Sequence, residues 1–255
     1  MKRRTTRHHG LRRRCLLGVV LLAVTSASEA VADDGSGPLG VTEVAAPTAE
    51  TARVGVLFDG KQHFCTASVV DSPRRDLVVT AAHCLDGGAG DLEFVPGYRD
   101  GHAPYGVWRV KRRFLPDGWA KGQDEDSDVA FAVVADRGGG KGVEDVVGGG
   151  NRFVAGTATG ATAVTVTGYP DSRDAPVSCT NRPTAHSRTQ QRIACPGFSG
   201  GTSGSPWVNG DGEVVGVLGG HEQGGATADI SYSVVLGAEA ASLYRAAERG
   251  TAGTA

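Results

Sequence analysis

Sulfur, aromatic rings and long apolar runs are all scarce in this chain of 255 residues, which has one methionine, five cysteines and 6% Phe, Trp and Tyr. The longest apolar stretch, Cys15 to Ala27 (CLLGVVLLAVTSA), is about a dozen residues, short of the ~20 needed to span a bilayer core. No CxxC pair occurs, which removes the usual ligand spacing of a structural zinc site and gives no reason to expect a metal. Neither charge sign dominates, since the formal net charge is only −2. That average conceals two parts. Residues 1–32 hold seven Lys/Arg and one acid, Glu29, and without them 19 basic residues face 27 acidic ones, a net charge of −8. A body so acidic repels phosphate, so nucleic acid is excluded as a partner.

The basic opening reads as an export address. A charged segment at 1–14, the short apolar run and Ala30-Val31-Ala32 form the n-region, h-region and A-x-A site of a signal peptide. Arg13-Arg14 also loosely resembles a twin-arginine signal. No second apolar run follows, so the exported part is expected to be secreted, soluble and without a membrane partner. Cys15 leaves with the signal. The remaining four, Cys65, Cys84, Cys179 and Cys195, predict two disulfides with three possible connectivities. Sequential pairing closes the shortest loops.

With 39 glycines, the chain between signal and tail reads as all-β. Residues 33–50 lack pattern and suggest a linker or short pro-segment. Short Val- and Thr-rich runs follow at 54–58, 64–70, 77–80, 92–95, 107–114, 129–134, 163–167, 207–208 and 214–218, separated by turn residues. That spacing suits a barrel or sandwich rather than βαβ units. A glycine-rich break at 137–150 divides the chain, and the one convincing helix is Gly237–Arg249.

Three segments carry chemistry: VVTAAHC at 78–84, SDVAFAVV at 127–134 and GGTSGSP at 200–206. A serine hydroxyl needs a base to take its proton, and the base needs a carboxylate to fix its tautomer. Ser203, His83 and Asp128 offer those roles in the order His, Asp, Ser, with 45 and 75 residues between them. The glycines allow the backbone N–H groups of Gly201 and Ser203 to face a developing oxyanion.

TAAHC, DVAF and GTSGSP together resemble the trypsin/chymotrypsin-like serine proteases, in particular the secreted bacterial branch that includes the glutamyl endopeptidases. The likeness covers about residues 51–247. It implies two antiparallel six-stranded β-barrels, at about 51–140 and 150–236, closed by a helix at 237–249 and followed by a tail at 250–255. It also implies Cys65–Cys84 beside the catalytic histidine, which leaves Cys179–Cys195 by parity. Ser203 becomes the nucleophile, His83 the base, Asp128 its orienting acid, and Gly201 and Ser203 the oxyanion hole. Gly216–Gly220 resemble the strand that pairs with substrate backbone, and Gly219, Gly220 and the following His221 are the expected substrate-binding residues. Protein or peptide substrates, no cofactor and a monomer are implied.

Departures accompany the likeness. Thr202 stands where animal enzymes carry the aspartate that pairs with a new N-terminal amine, so that mode of activation is not expected. Leu218 replaces the histidine of glutamyl-specific relatives, which points to a neutral or apolar side chain on the acyl side of the cut. Only neutral His83 can accept a proton, so activity is expected to rise with pH through histidine's titration range.

Two rivals are weaker. GFSGG at 197–201 fits the nucleophile elbow of α/β-hydrolase esterases, but the alternating helices are missing and only His221 follows Ser199. A catalytically silent binding protein on a protease scaffold is the other, though no triad position is substituted. Asp124, Asp126 and Asp128 mimic a calcium loop, yet Val129 replaces its glycine. His63, His102 and His186 are expected in loops or on the surface.

Overall fold

A computed structural model describes residues 38–87, 91–135 and 139–250. The signal segment expected at 1–32 lies outside the described residues, as do residues 251–255 of the tail. No helix among the described residues is long and apolar enough to cross a membrane.

The first half is a closed barrel. Its strands are β2 (Val54–Phe58), β3 (His63–Val69), β4 (Leu77–Thr80), β5 (Glu93–Pro96), β6 (Trp108–Phe114) and β7 (Ala130–Val134), closing in the order β2-β3-β4-β7-β6-β5. Leu57, Ala67, Val69, Val78, Phe94, Trp108 and Ala132 fill its interior. The outward side chains of β4 and β7 are also buried: Leu77, Val79, Phe131 and Val133 pack against Val214, Val217 and Val234 of the second half. Burial on both faces explains why LVVT and AFAVV are continuous apolar runs without alternation.

The second half begins with residues that precede the first. Strand β1 (Thr42–Val44) joins β8 (Arg152–Phe153), β9 (Val164–Gly168), β10 (Val177–Asn181), β13 (Pro206–Asn209) and β14 (Glu213–Val217) in a six-stranded sheet ordered β1-β10-β9-β13-β14-β8. A three-stranded sheet holds β11 (Thr184–Ala185), β12 (Gln190–Ala194) and β15 (Ile230–Val234). The two sheets meet where Val217 N–H donates to Ser233 Oγ at 2.9 Å and Gly219 N–H to the Tyr232 carbonyl at 2.9 Å. The all-β class, the closed barrel and the terminal helix are as expected. In the second half the strands distribute over two sheets, and the β8–β14 pairing is parallel.

Among the described residues, four α-helices punctuate the strands: α1 (Ala49–Ala52), α2 (Asp117–Gly122), α3 (Val143–Val147) and α4 (Ala238–Arg249). The stretch read as linker or pro-segment is built into the fold from Pro38 onward. Strand β1 pairs with β10, and Thr48 caps α1 in a reciprocal box with Thr51. The glycine-rich break likewise contains α3, whose Val143 and Val147 enter the first core. Helix α4 returns across the chain to set Ala240, Leu243 and Ala247 against the barrel's outer face. Both expected bridges are present, Cys65–Cys84 and Cys179–Cys195.

Candidate active site

Strand register brings His83 and Asp128 together. β4 and β7 are antiparallel with Thr80 opposite Ala130, so the exit of one and the entry of the other share one end of the sheet. His83 lies on the short 3-10 turn Ala82–Cys84 just after β4, fastened to β3 by Cys65–Cys84. Asp128 caps a second 3-10 turn, Glu125–Ser127, just before β7. The His83 Nδ1 to Asp128 Oδ2 distance is 2.8 Å, and the His83 backbone N–H donates to Oδ1 at 3.0 Å. A third donor, Gly220 N–H, reaches Oδ2 at 2.7 Å. The carboxylate is fully buried, and these three N–H groups replace its lost water. Held this way, the imidazole carries its hydrogen on Nδ1 and leaves Nε2 as an acceptor.

Ser203 sits on the loop between Cys195 and β13, bound to the first barrel through its neighbours. The Thr66 backbone N–H of β3 donates to the Ser203 carbonyl at 2.7 Å. A Cβ on Gly204 would fall 2.0 Å from the Thr66 carbonyl and 2.2 Å from Thr80 Oγ1, and φ is +86° there, so only glycine allows this approach. Gly201 is similar: φ is +88°, and a Cβ would meet Asp171 N and the Tyr169 carbonyl at 2.6 Å. The Gly200 carbonyl accepts from Asp171 N–H at 2.7 Å, and the Thr202 carbonyl from Ser205 N–H at 3.0 Å and Ser205 Oγ at 2.7 Å. A trans peptide points its N–H opposite to its C=O, so the Gly201 N–H is directed away from Asp171 and the Ser203 N–H away from Ser205.

The segment expected to bind substrate is more heavily engaged than its sequence suggests. Gly219 N–H bonds to the Tyr232 carbonyl, Gly220 N–H holds Asp128, and His221 N–H reaches Gln190 Oε1 at 3.4 Å. The His221 ring stacks on His186 with centroids 4.7 Å apart, and its Nδ1 lies 3.4 Å from Glu125 Oε2. Beyond it, Glu222 and Gln223 both adopt positive φ, at 50° and 54°. The Ser203 hydroxyl donates to the Gln223 carbonyl at 3.5 Å.

Several residues of this network carried no sequence signal: Thr66, Glu125, Gln190 and Gln223 are ordinary polar residues until the loops converge. Asp124 and Asp126, which resemble a calcium loop, are used internally. Asp124 caps the turn through Asp126 N–H, and Asp126 Oδ1 accepts from Gln190 Nε2. The sulfur atoms of Cys65 and Cys84 lie near His83 but are bonded to each other, so neither is a thiolate ligand. His102 and His186 are exposed as expected. His63 departs from expectation, because it lies buried on β3 edge-on to Phe58 at 6.0 Å. A cavity of about 340 Å³ between Thr48, Arg99, His102, Tyr105 and Tyr169 includes none of His83, Asp128 or Ser203.

A closed six-stranded barrel with a second β-half is the fold of the chymotrypsin-type serine proteases; here it carries the His83–Asp128 pair in the first half and, on the loop before β13, the glycine-framed Ser203 with its hydroxyl on the Gln223 carbonyl. The trypsin-like peptidase domain model matches residues 65–217, and the chain belongs to that family. It is a serine endopeptidase, and its substrates are proteins or peptides. A search of curated proteins found no match. Among solved structures, the protease Anisep from Arthrobacter nicotinovorans is 28% identical with a TM-score of 0.71, over 82% of this chain and 99% of that one. The thermostable serine protease AL20 from an extremophilic microorganism is 26% identical with a TM-score of 0.70, over 79% and 99%. A Glu endopeptidase in complex with MPD, 17% identical with a TM-score of 0.68 over 84% and 99%, shares the fold. An all-β chain without βα alternation does not suit the esterase reading of GFSGG.

Proposed function

We propose that the protein is a secreted endopeptidase that cuts peptide bonds through an acyl-enzyme formed on Ser203. His83 takes the Oγ proton at Nε2 as Oγ bonds to the substrate carbonyl carbon. The displaced electron pair becomes an oxyanion that the Gly201 and Ser203 N–H groups receive. Collapse breaks the C–N bond, and His83 passes its proton to the leaving amine. Water, deprotonated by the same nitrogen, then releases the acyl group by the same route. Asp128 keeps the imidazole in the required tautomer and stabilises the cation formed in each half-reaction.

The observation that carries this reading is the 2.8 Å contact between His83 Nδ1 and the fully buried Asp128. Gly219, Gly220 and His221 form the rim on which substrate lies, and Gln223 must yield when a substrate carbonyl approaches Ser203. Phe198 and Leu218 are buried with Ile193 and the Cys179–Cys195 bridge near this loop, and His221 Nδ1 faces Glu125 rather than standing free. A neutral or apolar side chain on the acyl side of the cut fits those surroundings. Removal of residues 1–32 on export would leave a chain that still carries β1 and both bridges.

Hydrolysis of casein or a mixed peptide library by the purified protein, compared with Ser203→Ala, tests the reading. Cleavage by the wild type and none by the variant is expected. Equal activity in both would refute it.

A further inference from the structure

Every backbone carbonyl from Ser199 to Ser203 is hydrogen-bonded within the protein. Ser199 accepts from Thr202 N–H at 3.2 Å and Thr202 Oγ1 at 2.6 Å, and the Gly200 and Thr202 carbonyls are anchored by Asp171 and Ser205 as described. The remaining two bonds both come from one residue of the first barrel. Thr66 Oγ1 donates to the Gly201 carbonyl at 3.1 Å, and Thr66 N–H donates to the Ser203 carbonyl at 2.7 Å. The same hydroxyl accepts Tyr169 N–H at 3.0 Å. Thr66 is fully buried, and its own carbonyl is taken by Thr80 Oγ1 at 2.7 Å.

We propose that Thr66 is a positioning residue for the oxyanion hole, its hydroxyl fixing the direction of the Gly201 N–H group. It acts from both sides of that peptide. Through the Gly201 carbonyl it sets the following peptide plane. Through Tyr169 it sets the segment whose Asp171 N–H holds the Gly200 carbonyl, and Gly200 C=O and Gly201 N–H belong to one rigid unit. A buried hydroxyl that donates once and accepts once has its hydrogen direction fixed. Thr202 leaves no carboxylate before the nucleophile, so this neutral network, rather than a charged N-terminus, keeps the hole formed. The proposal rests on the assignment of Gly201 and Ser203 as oxyanion donors.

The test compares Thr66→Val, which keeps shape and loses the hydroxyl, with Thr66→Ser, which keeps the hydroxyl. Thr66→Ala serves as a second hydroxyl-free variant should valine impair folding. Peptide amide hydrolysis, inhibition by a peptidyl trifluoromethyl ketone and thermal melting are measured on each. Removing an oxyanion donor outright costs about 10²–10³ in kcat. Misdirecting one is expected to lower kcat by about 10- to 30-fold in the hydroxyl-free variants, with KM within about twofold. Ketone affinity should fall in parallel, because that inhibitor needs the hole, and Thr66→Ser should return to within about threefold of wild type. Hydroxyl-free variants that melt earlier yet keep full kcat when folded would overturn the proposal, as would a serine variant no better than valine. Fluorophosphonate labelling of the wild type separates the two levels. An unlabelled wild type overturns the active-site assignment and this proposal with it, whereas a labelled wild type beside a fully active Thr66→Val overturns this proposal alone.

Discussion

Replacing Asp128 by asparagine leaves one acceptor oxygen where three N–H groups converge, from His83 Nδ1, the His83 backbone and Gly220. If that oxygen keeps the His83 backbone bond, the amide NH2 faces His83 Nδ1 and Gly220 N–H. Nδ1 must then become an acceptor, which moves the ring hydrogen to Nε2 and removes the base that Ser203 needs. In Ser-His-Asp proteases this exchange costs about 10⁴ in kcat, equivalent to about 5.4 kcal/mol at 1.36 kcal/mol per decade. Stability should fall as well, because Gly220 N–H is left facing another donor in a fully buried site, a penalty of about 1–3 kcal/mol. Steady-state hydrolysis at pH 7–8 measures the first effect and chemical denaturation the second. A folded Asp128→Asn variant within tenfold of wild-type kcat would refute the argument.

The two disulfides give contrasting expectations. Their sequence separations of 19 and 16 residues each correspond to about 3 kcal/mol of lost chain entropy in the unfolded state. Converting either pair to alanines should cost that much in denaturant unfolding. Loss of Cys65–Cys84 should also lower kcat/KM, since that bridge anchors the turn carrying His83, whereas loss of Cys179–Cys195 should leave labelling of Ser203 intact. Burial holds Glu144 above the usual carboxylate range, and Asp71 adds to this against the opposing Ser72 N–H bond. A raised folded value favours the protonated form, so its stabilising contribution is present in acid and lost as pH rises through that value. Glu144→Gln removes this loss and should be more stable, relative to wild type, at pH 7 than at pH 3.5. Chemical denaturation at both pH values checks the sign.

The parts of the site visible in the sequence are those where local chemistry and long-range geometry coincide. β4 and β7 are buried on both faces, so they stand out as apolar runs, and His83 and Asp128 lie two or three residues from their paired ends. Ser203 was visible because close approach to Thr66 and Thr80 demands glycine beside it. Other features were hidden by inverted patterns. In β15, ISYSV, the buried positions include Ser231 and Ser233, with Ser233 Oγ accepting from Val217 N–H, so the apolar alternation points the wrong way. Gln190 and Gln191 of β12 are buried through side-chain hydrogen bonds, which a hydrophobicity reading treats as loop. Helix α3 hides among glycines because it is a single short turn, with Val143 and Val147 buried in the core and Val146 packed against it. β1 gave no signal because its partner β10 is more than 130 residues distant. Gly220, an expected substrate-binding residue, also gives its N–H to Asp128 at a positive φ of 78°, a contact that no local sequence pattern signals.

The most direct test of the account is covalent: purified protein is treated with a fluorophosphonate and the modified residue located by peptide mass spectrometry. A single adduct on Ser203, lost in Ser203→Ala and strongly slowed in His83→Ala, is the predicted result. An unreactive wild-type protein, or an adduct on Ser199 or another serine, would contradict it.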